Sequence, residues 1–274
     1  MASSPRLSRT GFHARSVSLP SRPHPTVPEY DEILCRLQSS GAASSSSSSI
    51  RNSLEGLQDL HDCLGSLMLL PESQQALAKE CHGELVDKVL NGSLQLLDIC
   101  GTAKESLMMT KECTQELQSS LRRKGCDAKE ASKYLACRKA VKKSIQKALR
   151  NLKDLETSEN GQDSFVMVSM LREVEQVTLS VLKSLLSFIT GPKDQSLVSK
   201  LMHSKSAKLE TKTEFEQIDA AMQSVEKHKA AGINSIQADV ADLELSIEDL
   251  ESGVERLYRH LIKVRVTLLN IISY

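Results

Sequence analysis

From Ile233 to Ile271 apolar residues recur at alternating steps of three and four: Ile233, Ile236, Val240, Leu243, Ile247, Leu250, Val254, Leu257, Leu261, Val264, Leu268 and Ile271. No polar residue interrupts the series. On a helix this spacing draws the side chains into one line, and an apolar line in water demands a partner surface. About forty residues of helix form a rod on the order of 60 Å long. Either the rest of the chain covers that rod or a second copy does.

Two readings of the seam are open at this point. In its middle heptads a β-branched residue (Val240, Ile247, Val254) alternates with leucine (Leu243, Leu250, Leu257), which suits a two-stranded parallel coiled coil. One flanking row, Ser246, Gly253, His260 and Thr267, offers few charges for bridges between chains. Past Leu261 a second apolar row begins, Ile262, Val266, Leu269 and Ile272, and a helix apolar on two sides is buried among several neighbours. That second row tips the reading toward an intramolecular bundle. The predicted fold is all-α: an elongated multi-helix bundle with long antiparallel helices and a heptad-patterned carboxy-terminal helix. Its seam is Leu243, Ile247, Leu250, Val254, Leu257 and Leu261.

The preceding chain divides by composition. Residues 1–28 hold Arg6, Arg9, Arg15 and Arg22, many serines, five of the seven prolines and no acid, too little apolar matter to fold alone. Such a start also resembles an organelle transit peptide, though without a clear amphipathic helix. Residues 29–38 read as a short helix and 39–50 as a Ser-rich linker, leaving 51–274 for the helical bundle. Within the bundle, Asn52 with Glu55 looks like a helix start, as do Asp127 with Glu130 and Thr211 with Glu214. Asn91-Gly92 is a candidate break, Arg122 to Gly125 a stop, and Ala230-Ala231-Gly232 a candidate kink.

Zero net charge and an aromatic content of 3 % remove the field and the stacking platforms that nucleic-acid binding uses. The seven cysteines are odd in number and form no CxxC pair, a pattern of reduced, mostly buried thiols in a cytosolic compartment. No apolar run reaches the ~18 residues a bilayer span requires, and the first thirty residues hold no apolar block of a secretory signal. An intracellular, mainly cytoplasmic protein is expected, with the membrane periphery as a second location. Catalytic constellations are missing: no Gly-rich phosphate loop, no GxSxG, no HExxH and no paired Cys/His ligand set. The expectation is a protein without enzymatic activity and without cofactor or metal.

Two stretches carry recognition chemistry instead. Arg15-Ser16-Val17-Ser18-Leu19-Pro20 places an arginine three residues before Ser18, as basophilic kinases require. Phosphorylated at Ser18, with Arg15 and Pro20 around it, it matches a ligand of phosphoserine-reading 14-3-3 adaptors, which hold phosphate in an Arg cluster. The other reading is a disordered arm with chance spacing. Between Leu121 and Asp154 there are twelve Lys/Arg against three Asp/Glu. One face of this helix carries Lys139, Lys142, Lys143, Lys147 and Arg150, the other Tyr134, Val141, Ile145, Leu149 and Leu152. A basic amphipathic helix suits an anionic lipid surface, an acidic protein or calmodulin. It also has a counterpart in the chain: Asp239, Asp242, Glu244, Glu248, Asp249, Glu251 and Glu255 form an acidic stretch of the long rod, and the alternative reading simply lays the basic helix near it.

Several of these segments together resemble a plant family. They are HARSVSLPSRPHP from His13, LPESQQAL from Leu70, GSLQLLDICGTAKE from Gly92, QELQSSLRR from Gln115, the basic helix from Tyr134 to Lys153, and IEDLESGVERLYRHLIKVRVTLLNI from Ile247. They occur in order over nearly the whole chain and are similar to the domain-of-unknown-function 241 family, related to the BYPASS-type proteins. The resemblance implies a land-plant protein, helical throughout, with no assigned reaction and no catalytic residues to carry over. It also implies links to root and shoot development and, for BYPASS-type members, to restraint of a root-derived signal.

Overall fold

The structure, a computed structural model, describes residues 24–40, 46–80, 83–156, 166–191, 213–227 and 233–273. Among the described residues there are eight helices and no strand: α1 Thr26–Ser40, α2 Ser47–Met68, α3 Pro71–Glu80, α4 Glu84–Lys124, α5 Ala128–Glu156, α6 Val166–Thr190, α7 Glu214–Glu226 and α8 Ile233–Ile272. The protein is all-α. Ser18 with Arg15 and Pro20, and the Ala230-Ala231-Gly232 stretch, lie outside the described residues.

The long seam is covered from within the chain. Helix α8 packs between α4 and α2, and α6 closes the bundle against those same two helices. Pairs along the α4–α8 interface run in opposite directions: Gln115 with Glu244, Lys111 with Glu248 and Glu251, Lys104 with Glu255, then Arg265 with the Leu90 carbonyl and the Ser93 hydroxyl. The two longest helices are therefore antiparallel. Arg51 with Asp249 and Asp62 with His260 set α2 parallel to α8. Val240, Leu243, Ile247, Leu250, Val254 and Leu257 lose all solvent exposure, and Leu261 nearly all. Gly253 lets α2 and α8 close on each other, since a Cβ there would stand 3.1 Å from Leu54 Cδ1.

The second apolar row of α8 behaves differently from the expectation. Ile262, Val266 and Leu269 remain 42 %, 49 % and 39 % exposed, and only Ile272 packs on the core. At this end no helix among the described residues lies over the outer side of α8.

Other boundaries move as well. Helix α4 is unbroken at Asn91-Gly92 and runs for 41 residues. Gly92 serves contact rather than breakage: the Glu175 carboxylate of α6 lies where its Cβ would be. Helix α2 begins at Ser47, not Asn52, with Ser46 Oγ accepting from the Ser49 amide, so the end of the serine tract is a helix start. The capping box of α7 is Thr213 with Glu216, two residues later than expected. Helix α1 belongs to the bundle: Tyr30, Ile33, Leu34 and Leu37 are buried, and the Tyr30 hydroxyl donates to the Met170 carbonyl at 3.1 Å.

The cysteines also depart from the all-thiol expectation. Cys113 of α4 and Cys137 of α5 form a disulfide with Cα atoms 6.7 Å apart. The two are 24 residues apart and meet only because α4 and α5 fold back on each other, which no local spacing announces. Cys63 and Cys100 are buried thiols, and burial pushes Cys100 up to about 12. Among the described residues no group of three or more His, Cys, Asp or Glu is arranged to hold a metal, and no helix is long and apolar enough to cross a membrane.

Candidate interaction surface on helix α5

Helix α4 ends at Lys124, and Gly125 at φ 77° reverses the chain. Asp127 then starts α5, its Oδ1 accepting from the Lys129 and Glu130 amides at 2.9 Å each. Ala131, Tyr134, Val141, Ile145 and Leu152 form the inner stripe and are buried. Helix α5 packs on α4, α7 and α6.

One charged residue sits inside that stripe. Arg138 is 2 % exposed. Its Nε donates to Asp219 Oδ1 of α7 at 3.0 Å, and its Nη2 donates to the Ile189 carbonyl of α6 at 2.6 Å. The guanidinium also lies over the Phe215 ring at 4.8 Å, and Phe215 meets Phe188 edge-on at 5.3 Å. Lys142 reaches the same carboxylate, 2.8 Å from Asp219 Oδ2. The buried charge is thus compensated by its partner carboxylate and by hydrogen bonds, as burial requires. Next to it the Tyr134 phenol is pushed up by burial. Sequence reasoning left Arg138 unremarked. The available signal was its register, four residues after Tyr134 and three before Val141, on the apolar side.

The expected basic face therefore divides. Lys142 is committed to Asp219 and is half-buried. Lys139, Lys143, Lys147 and Arg150 are exposed, and among the described residues no carboxylate lies within ion-pair distance of any of them. Lys133, nearly two turns before Lys139, pairs with Glu116 at 2.7 Å. Ala136, Ala140 and Ser144 separate the cations, so the strip is flat, positive and free of large apolar groups.

The acidic side of the rod does not neutralise it. Among the described residues the backbones of α5 and α8 do not approach each other. Glu248, Glu251 and Glu255 pair with Lys111 and Lys104 of α4, and Asp249 pairs with Arg51 of α2. The Glu251 carboxylate holds the Lys111 ammonium above the usual lysine range. The intramolecular pairing of α5 with that acidic stretch is excluded by where α4 lies.

This geometry limits what the strip can bind. Insertion into a bilayer, or capture by a groove that swallows an apolar helix face, needs the inner stripe, and that stripe is spent on the bundle core. The Tyr134 ring is buried and offers no stacking platform for bases. A stripe of exposed ammonium groups, with the Arg150 guanidinium bonded only to the Gln146 carbonyl of its own helix among the described residues, remains on a rigid helix and suits a flat acidic surface.

Between α2, α4, α6 and α8 lies a mainly apolar cavity of about 40 Å³, lined by His61, Ser93, Val174, Glu175 and Leu261 among others. His61 Nε2 is 3.0 Å from Thr178 Oγ1, and burial lowers its pKa to about 4, so it is a neutral imidazole. The space suits a water or two, not a substrate.

The family model described as Protein BPS1 matches residues 53–271, from the first turns of α2 to the end of α8. The chain belongs to the Protein BPS1 family. This is the BYPASS-related plant family, as the motif resemblance implied, and it is a regulatory family linked to development. The match takes in all of α5 and its cationic strip, together with both long helices, and leaves α1 outside. No curated protein and no solved structure matches the chain.

Proposed function

We propose that this BPS1-family chain is a non-enzymatic regulatory scaffold of root and shoot development that works through protein contacts. In this reading the strip formed by Lys139, Lys143, Lys147 and Arg150 is its docking face for an acidic protein surface. The single observation that supports it is the unpaired state of these four cations on a helix whose apolar side is already buried. Exposed cations are well hydrated and need no partner for stability, but clustered on one face they raise encounter rates with an acidic partner. The arm around Arg15, Ser18 and Pro20 supplies a second contact, to a phosphoserine-reading adaptor, through the phosphate-to-Arg pairing that such adaptors use.

Proximity labelling in root tissue tests this reading. The variant K139A/K143A/K147A/R150A is expected to lose a set of acidic neighbours that the wild type labels, and S18A to lose the adaptor. An unchanged neighbour set in the quadruple variant would remove the docking face.

The same strip favours a second reading, a peripheral protein held electrostatically at an anionic bilayer of the cytoplasm. Co-sedimentation with phosphatidylcholine vesicles containing phosphatidylserine or phosphoinositide distinguishes it. Wild-type binding at low salt, lost in the quadruple variant, supports the membrane reading, and no binding at low salt ends it.

A further inference from the structure

The open row of α8 does not stand alone. Arg265 of α8 bonds the Leu90 carbonyl and Ser93 of α4, which fixes the level at which the two antiparallel helices meet. At that level Leu94 of α4 is 44 % exposed, and the partly buried Leu90 and Leu97 lie a turn away on the same side. Leu94 on one bank and Ile262, Val266 and Leu269 on the other border the outer groove between α4 and α8. Higher up, the same groove is closed by ion pairs, Lys104 with Glu255 and Lys111 with Glu248 and Glu251. Its apolar lower half is crossed by no ion pair among the described residues.

The banks of that apolar half carry opposite charges. On α4 the outward residues are Asp87 and Asp98, exposed and without a cation at ion-pair distance among the described residues. On α8 nothing after Glu255 is acidic. Arg259 and Lys263 stand outward there with side chains 73 % and 68 % exposed, in contact only with Glu255 of the preceding turn and with Asp62 at 3.9 Å. Register along the pair puts Asp98 level with Arg259. A two-fold axis running along this groove lays α4 of one copy over α8 of the other. It sets apolar strip on apolar strip and each acidic bank on the opposite basic bank.

We propose that the lower α4–α8 groove is a self-association surface, and that its occupant is a second copy of this chain placed by that two-fold. The interface is isologous, with Ile262, Val266, Leu269 and Leu94 at its centre and Asp98 facing Arg259 of the other copy. It is separate from the buried seam and does not depend on the strip on α5.

Sedimentation velocity of the full chain over a range of concentrations tests it, with helical content read by circular dichroism alongside. The wild type is expected to shift from one copy to two as concentration rises. I262E/V266E buries unpaired carboxylates at the centre and is expected to raise the dissociation constant by about a hundredfold or more without loss of helix. D98R and R259D are each expected to weaken association, and D98R/R259D to restore it. That rescue follows from facing charges and from no effect on the fold. A wild-type chain that stays a monomer at every concentration overturns the proposal. So does a dimer indifferent to I262E/V266E, or a double charge swap no better than either single one.

Discussion

Helices α5 and α8 are both amphipathic and both heavily charged, yet their charges meet opposite fates. On α8 the inner stripe is wholly apolar, and four of the flanking acids are paired within the chain: Glu255 with Lys104, Glu248 and Glu251 with Lys111, and Asp249 with Arg51. On α5 the inner stripe is broken by a buried arginine, while Lys139, Lys143, Lys147 and Arg150 on its outer face meet no carboxylate within the described residues. Charge density does not separate the two. What separates them is which helices lie alongside. A helix between two neighbours has its flanks read by the same chain, and a helix at the margin keeps its outer face for something else.

The largest test of that contrast strikes the buried charge. Asp219→Ala leaves Arg138 in the core without its carboxylate and is expected to lower unfolding free energy by about 3–5 kcal/mol, as breaking one half of a buried pair does. Chemical denaturation measures it, and a loss within experimental scatter would show that the pair is dispensable. Leu257→Ala, in the uninterrupted stripe of α8, is expected to cost about 2–5 kcal/mol by transfer and cavity formation. If it proves harmless, the seam is not the covered core described above.

A pH profile comes next. His61 is held neutral with a pKa lowered to about 4, while in the unfolded chain it titrates near its usual value. The unfolded state therefore binds the proton first. Stability is full above pH ~6.5, falls as the pH drops from there toward about 4, and levels off below, for a total of about 3 kcal/mol. His61→Gln is expected to flatten that window in melts taken at successive pH values, and an unaltered slope would place the titration elsewhere. Gly92→Ala is smaller, about 1–3 kcal/mol, because the Glu175 carboxylate has to give way to a methyl group. The smallest effect belongs to the margin: replacing Lys139, Lys143 and Lys147 by Ala is expected to leave stability within about 0.5 kcal/mol per site. A large loss of stability there would mean that the strip on α5 is structural, and the comparison would collapse.

Much of this was legible beforehand because it was local. The twelve-position seam of α8 dictates its own burial, and Asp127 with Gly125 marks the α4–α5 turn without any knowledge of the fold. What escaped was tertiary. Arg138 looks like one more cation in a cationic helix, and its partner stands 81 residues away. Cys113 and Cys137 carry no motif. Asn91-Gly92 has the composition of a break, yet a carboxylate from another helix occupies the room the glycine leaves. The row Ile262, Val266 and Leu269 is apolar enough to be core, and only the placement of α2 and α4 reveals that nothing in the described fold lies over it. For the basic face, sequence identified the residues and geometry told which of them are spare.

The contact between Arg51 and Asp249 spans 198 positions along the chain. On a ribosome adding about 5–20 residues per second, α2 waits roughly ten to forty seconds for the helix that shields it. Throughout that interval Leu54, Leu57 and Leu64 are only partly covered while translation continues. Nascent chains of this protein therefore need either a provisional packing of α2 on the earlier helices or a chaperone that holds it, and a stalled product ending before residue 233 is expected to be a chaperone client.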